Sequence, residues 1–449
     1  MIPLPDLEPF RGDQGKAFSP GPAQLSADRL AAMGYVEEEY VIRGVSTTFR
    51  HGEDSEIDVG PQAAYVTRIL VRTPAQFDRF NGTAVVEWLD ATDSVDTAHE
   101  WAYTQPELVR GGFAWAGVSV QRAGVMDGLK GWDAQRYSCL HHPGDEYSYD
   151  MFSQAGRAIR AILPGVRLLA AGMSKSAHRL TTYVNKIDPI AEVFDGYLVH
   201  CRPTFAQPKV PHRADTVDDS GSVRFADVLR VPVLVLQTET EVASSGYGSV
   251  RQPDEECFRL WEIAGAARSD AYLQAMAPLH PLQRRPSDII SALASRAKMF
   301  GPGLNQFVTS GPQHHYVANA ALHSLHRCLR DGVALPYGDR LATVAHAPHI
   351  LRRDVRGNAV GGVRTPWVDV PTALLTGVGP QDGIPPEPTD LTAPFPAAML
   401  KEIYPSADAY QTAFDAATDT AIENGVILQA DAAEIKETAS IVYLMSLNN

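Results

Sequence analysis

The chain has 449 residues and a net charge of −14, with 45% hydrophobic and 20% charged residues. That composition suits a globular protein burying a sizeable core, and the length fits one large domain with insertions or two to three average ones. The acidic balance leaves no basic excess to neutralise phosphates, which excludes nucleic acid and anionic membrane as main partners.

Residues 1–38 read as an irregular leader with a short helix around Ala23 to Met33. No signal peptide is expected, because Met1-Ile-Pro-Leu-Pro5 has neither a basic start nor a long apolar segment. No run approaches the roughly 18 apolar residues that span a bilayer. From Glu39 to Arg72 polar and apolar residues roughly alternate, which predicts an antiparallel pair at a sheet edge. Buried-type runs follow at Thr83–Leu89, Ala114–Val120, Val166–Ala170, Phe194–His200, Val231–Gln237 and Cys257–Ile263. Helical spacing marks 98–111, 149–163 and 175–186 between them. Strands alternating with helices predict right-handed crossovers and an α/β fold with a mostly parallel central sheet.

Residues 265–345 read mostly as helix, including Tyr316–Arg330, and fit a helical cap over the sheet. Pro and Gly concentrate between 335 and 396, and the last fifty residues read as helix. Asn424-Gly425 is a helix stop, and Asp431–Glu434 has capping-box spacing. Residues 1–449 are therefore expected to form one domain, with 265–345 a cap insertion and 346–449 an irregular, then helical, C-terminal wrap.

The four cysteines, Cys139, Cys201, Cys257 and Cys328, are far apart without metal-ligand spacing. They predict free buried thiols in a reducing cytoplasm. The histidines form no HExxH-like cluster, so neither a metal nor another cofactor is expected.

The chemistry centres on Gly172-Met-Ser-Lys-Ser176, which follows the apolar run from Val166 and precedes Ala177, Leu180, Tyr183 and Val184 at helical spacing. Strand, tight turn with a central serine, then helix is the layout of a nucleophile elbow. A serine that merely caps the helix would leave the same trace. As a nucleophile, Ser174 needs a base, an acid to orient it and amide donors for the oxyanion. In this layout the order is Ser, acid, His. The acid is then Glu241 or Glu239, after the Val231–Gln237 run. The donors would be the amides of Lys175 and of the loop around Asp90 and Ala91. The base belongs just after the last strand, where the chain has Arg268. A guanidinium cannot take a proton from serine, though it can hold an anion or pair with Glu241. His280 and His315 are the substitutes considered for the base, with His314 and His200 behind them.

With these residues in view, the chain resembles the alpha/beta hydrolase domain family of serine esterases over nearly its whole length. The resemblance rests on Val85-Val-Glu-Trp-Leu89, Arg110–Gln121, His142–Asp150, the elbow, Phe194–His200, Thr238–Glu241, Leu260–Gly265 and Asn358–Pro366. It implies an α/β-hydrolase fold, Ser174 as nucleophile and the Glu239/Glu241 loop at the acid position. The family has Gln where this chain has Lys175, Asn where it has Asp90, and His where it has Arg268. Gly361–Pro366 reads as a tight turn presenting Arg364, which either lines the site or, the favoured reading, anchors the C-terminal wrap.

The leading expectation is a serine hydrolase of carboxylic esters or lactones, working on a small hydrophobic molecule with a relocated base. A lyase or cyclase using Ser174, Lys175 and Arg268 on an anionic or enolic substrate is the second, and a catalytically silent binding protein the third.

Overall fold

The computed structural model describes residues 2–10, 17–19, 25–51, 57–204, 224–270, 272–273, 277, 279–297, 311–378 and 391–447. They fall into two compact units, Met1–Val233 with Glu256–Phe258, and Leu234–Glu255 with Arg259–Asn449.

The first unit holds, in order, β1 (Asp6–Pro9), α1 (Ala27–Ala32), β2 (Tyr35–His51), β3 (Ile57–Pro74), β4 (Thr83–Trp88), α2 (His99–Gly111) and β5 (Ala114–Val118). It continues with α3 (Lys130–Trp132), α4 (Ser148–Ile162), β6 (Arg167–Met173), α5 (Lys175–Thr182), α6 (Asp188–Ala191) and β7 (Gly196–His200). Its strands lie in the order β1-β2-β3-β5-β4-β6-β7. β5, β4, β6 and β7 run parallel. Every residue of β4, β5 and β7 is buried, the condition of strands covered on both faces by crossover helices. The long β2–β3 pair is the expected antiparallel flank. β1 pairs with β2, so the leader is not irregular throughout.

Aromatic side chains fill this unit. Trp88 packs on Tyr149 and Phe152 of α4, with centroids 5.7 and 4.9 Å apart. Arg72 of β3 is buried with its guanidinium 4.3 Å from the Trp101 ring and 4.6 Å from that of Trp115. Its charge meets Glu37 at 2.8 Å. Ring faces and a carboxylate together let a cation occupy the core.

The second unit holds β8 (Val233–Thr238) and β9 (Phe258–Ile263), save the first residue of each. α7 (Pro286–Ala297) and α8 (Gln313–Asp331) supply the helix expected in 265–345, part of which lies outside the described residues. The wrap carries strands that its short apolar runs did not announce. β10 (Thr343–Val344) pairs with β11 (Ala347–Leu351), and, after α9 (Pro366–Asp369), β12 (Ala373–Thr376) pairs with β13 (Leu391–Pro394). The C-terminal helices are α10 (Ala397–Ile403), α11 (Ala407–Glu423) and α12 (Ala432–Ser446).

Gly425, at φ +73°, ends α11 at the expected stop. The capping box does not form. Asp431 makes no side-chain cap bond, and Glu434 instead accepts from Tyr316 Oη at 2.6 Å and Arg284 at 2.9 Å. Stacking of Tyr410 on Tyr443 at 4.1 Å joins α11 to α12. None of the four cysteines forms a disulfide, and of the expected buried thiols only Cys201 is buried; Cys139 is exposed, and Cys257 and Cys328 are part-buried. Among the described residues no helix is long and apolar enough to cross a membrane.

Candidate active site

Ser174 stands alone between β6 and α5, at φ +59° and ψ −120°. A side chain in that region is strained by about 1–3 kcal/mol. The turn is possible because its neighbours are small. A Cβ on Gly172 would come within 3.0 Å of Leu180 Cδ1 and 3.1 Å of Ser176 Cβ, so strand and helix pass here at contact distance. The Ser174 amide donates to the His200 carbonyl at 3.0 Å, and its carbonyl accepts from the His178 amide at 3.1 Å. Its hydroxyl makes no cap bond, which removes the reading of Ser174 as a simple helix cap. The residue is half-buried. The Ser174→Gly variant is expected to gain roughly 1 kcal/mol in urea unfolding, the strain relieved minus the added freedom of the unfolded chain. A loss of stability would contradict the strain.

Lys175 opens α5, where the first amides have no acceptor inside the helix. The second group of expected donors is engaged elsewhere. The Asp90 amide donates to Thr97 O at 3.1 Å, and the Ala91 amide donates to Gln121 Oε1 at 3.1 Å. Neither directs an open hydrogen outward in this conformation.

Beside the elbow lies a cluster of acids and histidines that sequence reasoning passed over, apart from His200. His200 ends β7, with Nδ1 3.1 Å from Glu100 Oε1. Glu87 of β4 accepts the amides of Glu100 (2.9 Å) and Trp101 (3.0 Å) and the Trp115 indole N–H (2.8 Å), and so caps α2. Burial, reinforced by the Glu100 charge, pushes Glu87 up to about 8 despite these three donors. Burial alone pushes Glu100 up to about 8. His99, the first residue of α2, is held below its ordinary value by burial, with Asp90 pulling the other way. The only sequence signal was a charged residue inside the buried run Val85-Val-Glu-Trp88.

In the second unit, Glu241 accepts from the Thr238 amide at 3.0 Å, the Thr238 hydroxyl at 2.5 Å and Arg268 Nε at 2.6 Å. Arg268 also donates to Ser245 Oγ at 2.9 Å. Burial would raise the Glu241 carboxyl, but the Arg268 charge and these bonds outweigh it and hold the group below its ordinary value. The charged partner of Glu241 is thus an arginine rather than a histidine.

Glu239 is built into the scaffold. It accepts from the amides of Gly265 (2.7 Å) and Gly377 (3.2 Å) and from Thr376 Oγ1 (3.0 Å), and it pairs with Arg353 at 3.3 Å. Both of its oxygens are engaged within the scaffold. His315 is stacked on Tyr272 with centroids 3.6 Å apart, and its Nδ1 is 2.6 Å from Pro312 O. His280 Nδ1 accepts from the Leu282 amide at 3.2 Å. His314 Nδ1 lies 3.0 Å from Ala267 O. Arg364 pairs with Asp369 and donates to Ala359 O at 3.0 Å, an anchor within the wrap.

Parallel strands that deliver a strained serine to the start of a helix define the α/β-hydrolase class. The chain belongs to the alpha/beta hydrolase domain family, which matches it over residues 8–437. Among solved structures it is similar to the esterase Est22, with 11% identity and TM-score 0.29, covering 48% of this chain and 66% of Est22. A lidless α/β serine hydrolase from Xanthomonas campestris aligns at 13% identity and TM-score 0.30, over 49% of this chain and 83% of that one. An α/β serine hydrolase homologue from Coxiella burnetii aligns at 11% and 0.31, over 45% and 84%. No curated protein matches the sequence.

Proposed function

We propose that the protein is a serine hydrolase that cleaves carboxylic esters or lactones through an acyl-enzyme on Ser174. The observation that carries this reading is the strained backbone of Ser174, φ +59° at a strand-to-helix turn, with a hydroxyl not used as a cap. Strain of that kind persists where a side chain must be presented for chemistry. Ser174 Oγ attacks the ester carbonyl carbon, and the Lys175 amide faces the oxyanion. The alcohol leaves, and water releases the acid. Arg268 takes no part in proton transfer, since a guanidinium stays protonated. A small apolar ester is the substrate class proposed, and the chain has no basic excess for a polyanionic one. A lyase or cyclase is the second reading, favoured by the Glu241–Arg268 ion pair at the place of an acid–histidine pair.

A series of p-nitrophenyl esters of increasing acyl length separates the two. Wild-type turnover that falls by on the order of 10⁴ or more in Ser174→Ala supports the hydrolase. Hydrolysis unchanged in Ser174→Ala rules out the acyl-enzyme and leaves the second reading.

A further inference from the structure

We propose that His99, backed by Asp90, is the base that activates Ser174; this rests on the reading of Ser174 as nucleophile. The first ground is placement. β4 and β7 flank β6 in parallel register, with Glu87 opposite Ala171 and His200 opposite Met173. The residues after Trp88 and after Met173 therefore emerge on the same edge of the sheet. The loop after β4 is closed on itself by Asp90 N to Thr97 O at 3.1 Å and Thr97 N to Asp90 O at 2.8 Å. The chain thus re-enters helix at His99, close to where it left the strand. The next residue, Glu100, meets His200 Nδ1 at 3.1 Å, and the His200 carbonyl holds the Ser174 amide at 3.0 Å.

The second ground is open valence. His99 Nδ1 and Asp90 Oδ2 are both shielded from solvent without a hydrogen-bond partner. The other oxygen, Asp90 Oδ1, is used by the Thr92 amide at 2.8 Å. Buried polar atoms are paired in the great majority of cases, so two orphans, one at the start of that closed loop and one two residues past its end, call for an explanation. A base and its counter-charge, kept open for a proton that arrives during reaction, explain both.

The third ground is the charge around each rival. Burial, with the nearby His200, holds His99 below its ordinary value, and the carboxylates of Asp90 and Asp93 pull it back toward an imidazolium. His142 has Nε2 at 2.9 Å from Val120 O and faces two guanidiniums, Arg122 and Arg179, against Asp145. His200 has Nδ1 on Glu100.

As the Ser174 Oγ–carbon bond forms, the hydroxyl proton passes to the His99 ring. The imidazolium, opposite Asp90, returns that proton to the alcohol oxygen as the carbon–oxygen bond breaks. His99 then takes a proton from water as the hydroxide adds to the acyl carbon, and gives it back to Ser174 Oγ as the acid departs.

The test is the rate of Ser174 labelling by a fluorophosphonate, against pH, in wild type, His99→Gln, His99→Ala and Asp90→Asn, with urea midpoints as the folding control. The expected result is a fall of roughly 100-fold or more in both His99 variants. The wild-type acid limb, lying below a pKa of about 6.5, disappears in them. Imidazole restores part of the rate in His99→Ala. Asp90→Asn keeps the limb but moves it to lower pH, because the imidazolium loses its carboxylate. That arm reads the proposal even where a His99 variant fails to fold. Wild-type rates at Ser174 in the His99 variants, or an unmoved limb in Asp90→Asn, overturn the assignment of His99 alone. Absence of any label on wild-type Ser174 overturns the nucleophile reading and this assignment with it.

Discussion

The Glu100→Gln variant is expected to lose several kcal/mol less stability than the wild-type protein between about pH 5 and about pH 8. Glu87 and Glu100 are both pushed up to about 8 in the folded chain, chiefly by burial, from an ordinary 4.5. Over that window the folded state binds more protons than the unfolded one. The stabilisation is complete below about pH 4.5 and is lost as pH rises through about 8. One carboxyl so shifted is worth on the order of 4 kcal/mol across the window. Removing the Glu100 charge acts twice. It deletes one titration, and it removes the repulsion that helps to raise Glu87. His99 titrates in the opposite sense, since burial lowers it, so the informative quantity is the difference between wild type and variant. Urea unfolding at four pH values measures it, and parallel curves for the two proteins would refute the buried acid pair.

The Arg268→Met variant is expected to lose about 3 kcal/mol, and the Arg268→Met/Glu241→Gln double variant to recover more than half of it. Arg268 meets Glu241 at 2.6 Å, and the Glu241 side chain is fully shielded from solvent. Removing the guanidinium leaves a buried carboxylate with Thr238 as its remaining partner, and uncompensated buried charges typically cost about 3–5 kcal/mol. The Arg268 side chain is 31% exposed, which places the effect at the low end of that range. Neutralising Glu241 as well removes the charge that was stranded. Urea midpoints of the four proteins form a double-mutant cycle. Additive losses would show that the pair carries no coupling.

The sequence made the architecture legible where side chains act collectively. The buried runs Thr83–Leu89 and Ala114–Val120 became parallel strands, and the small residues around Ser174 became a tight turn, because periodicity and size are local properties. The short β10–β13 pairs were not legible, since strands of two to five residues carry too few positions to show a period. At the site, strand order placed Arg268 and Glu241 on loops where they could meet, and pairing was one of the roles open to the guanidinium. Glu239 was not foreseen as scaffold. Its ties to Gly265, Gly377 and Arg353 span up to 138 residues of sequence. Glu87, His99 and Glu100 were missed for a related reason. A lone acid in a strand and a histidine opening a helix acquire chemical meaning only when the fold buries them beside each other.

Ser174 is proposed as the nucleophile. Its most direct test is a fluorophosphonate applied to the folded wild-type chain, followed by peptide mass mapping. The expected result is a single stoichiometric adduct on the peptide containing Ser174, absent from Ser174→Ala. An unlabelled wild-type protein, or an adduct that persists on another residue in Ser174→Ala, would contradict it.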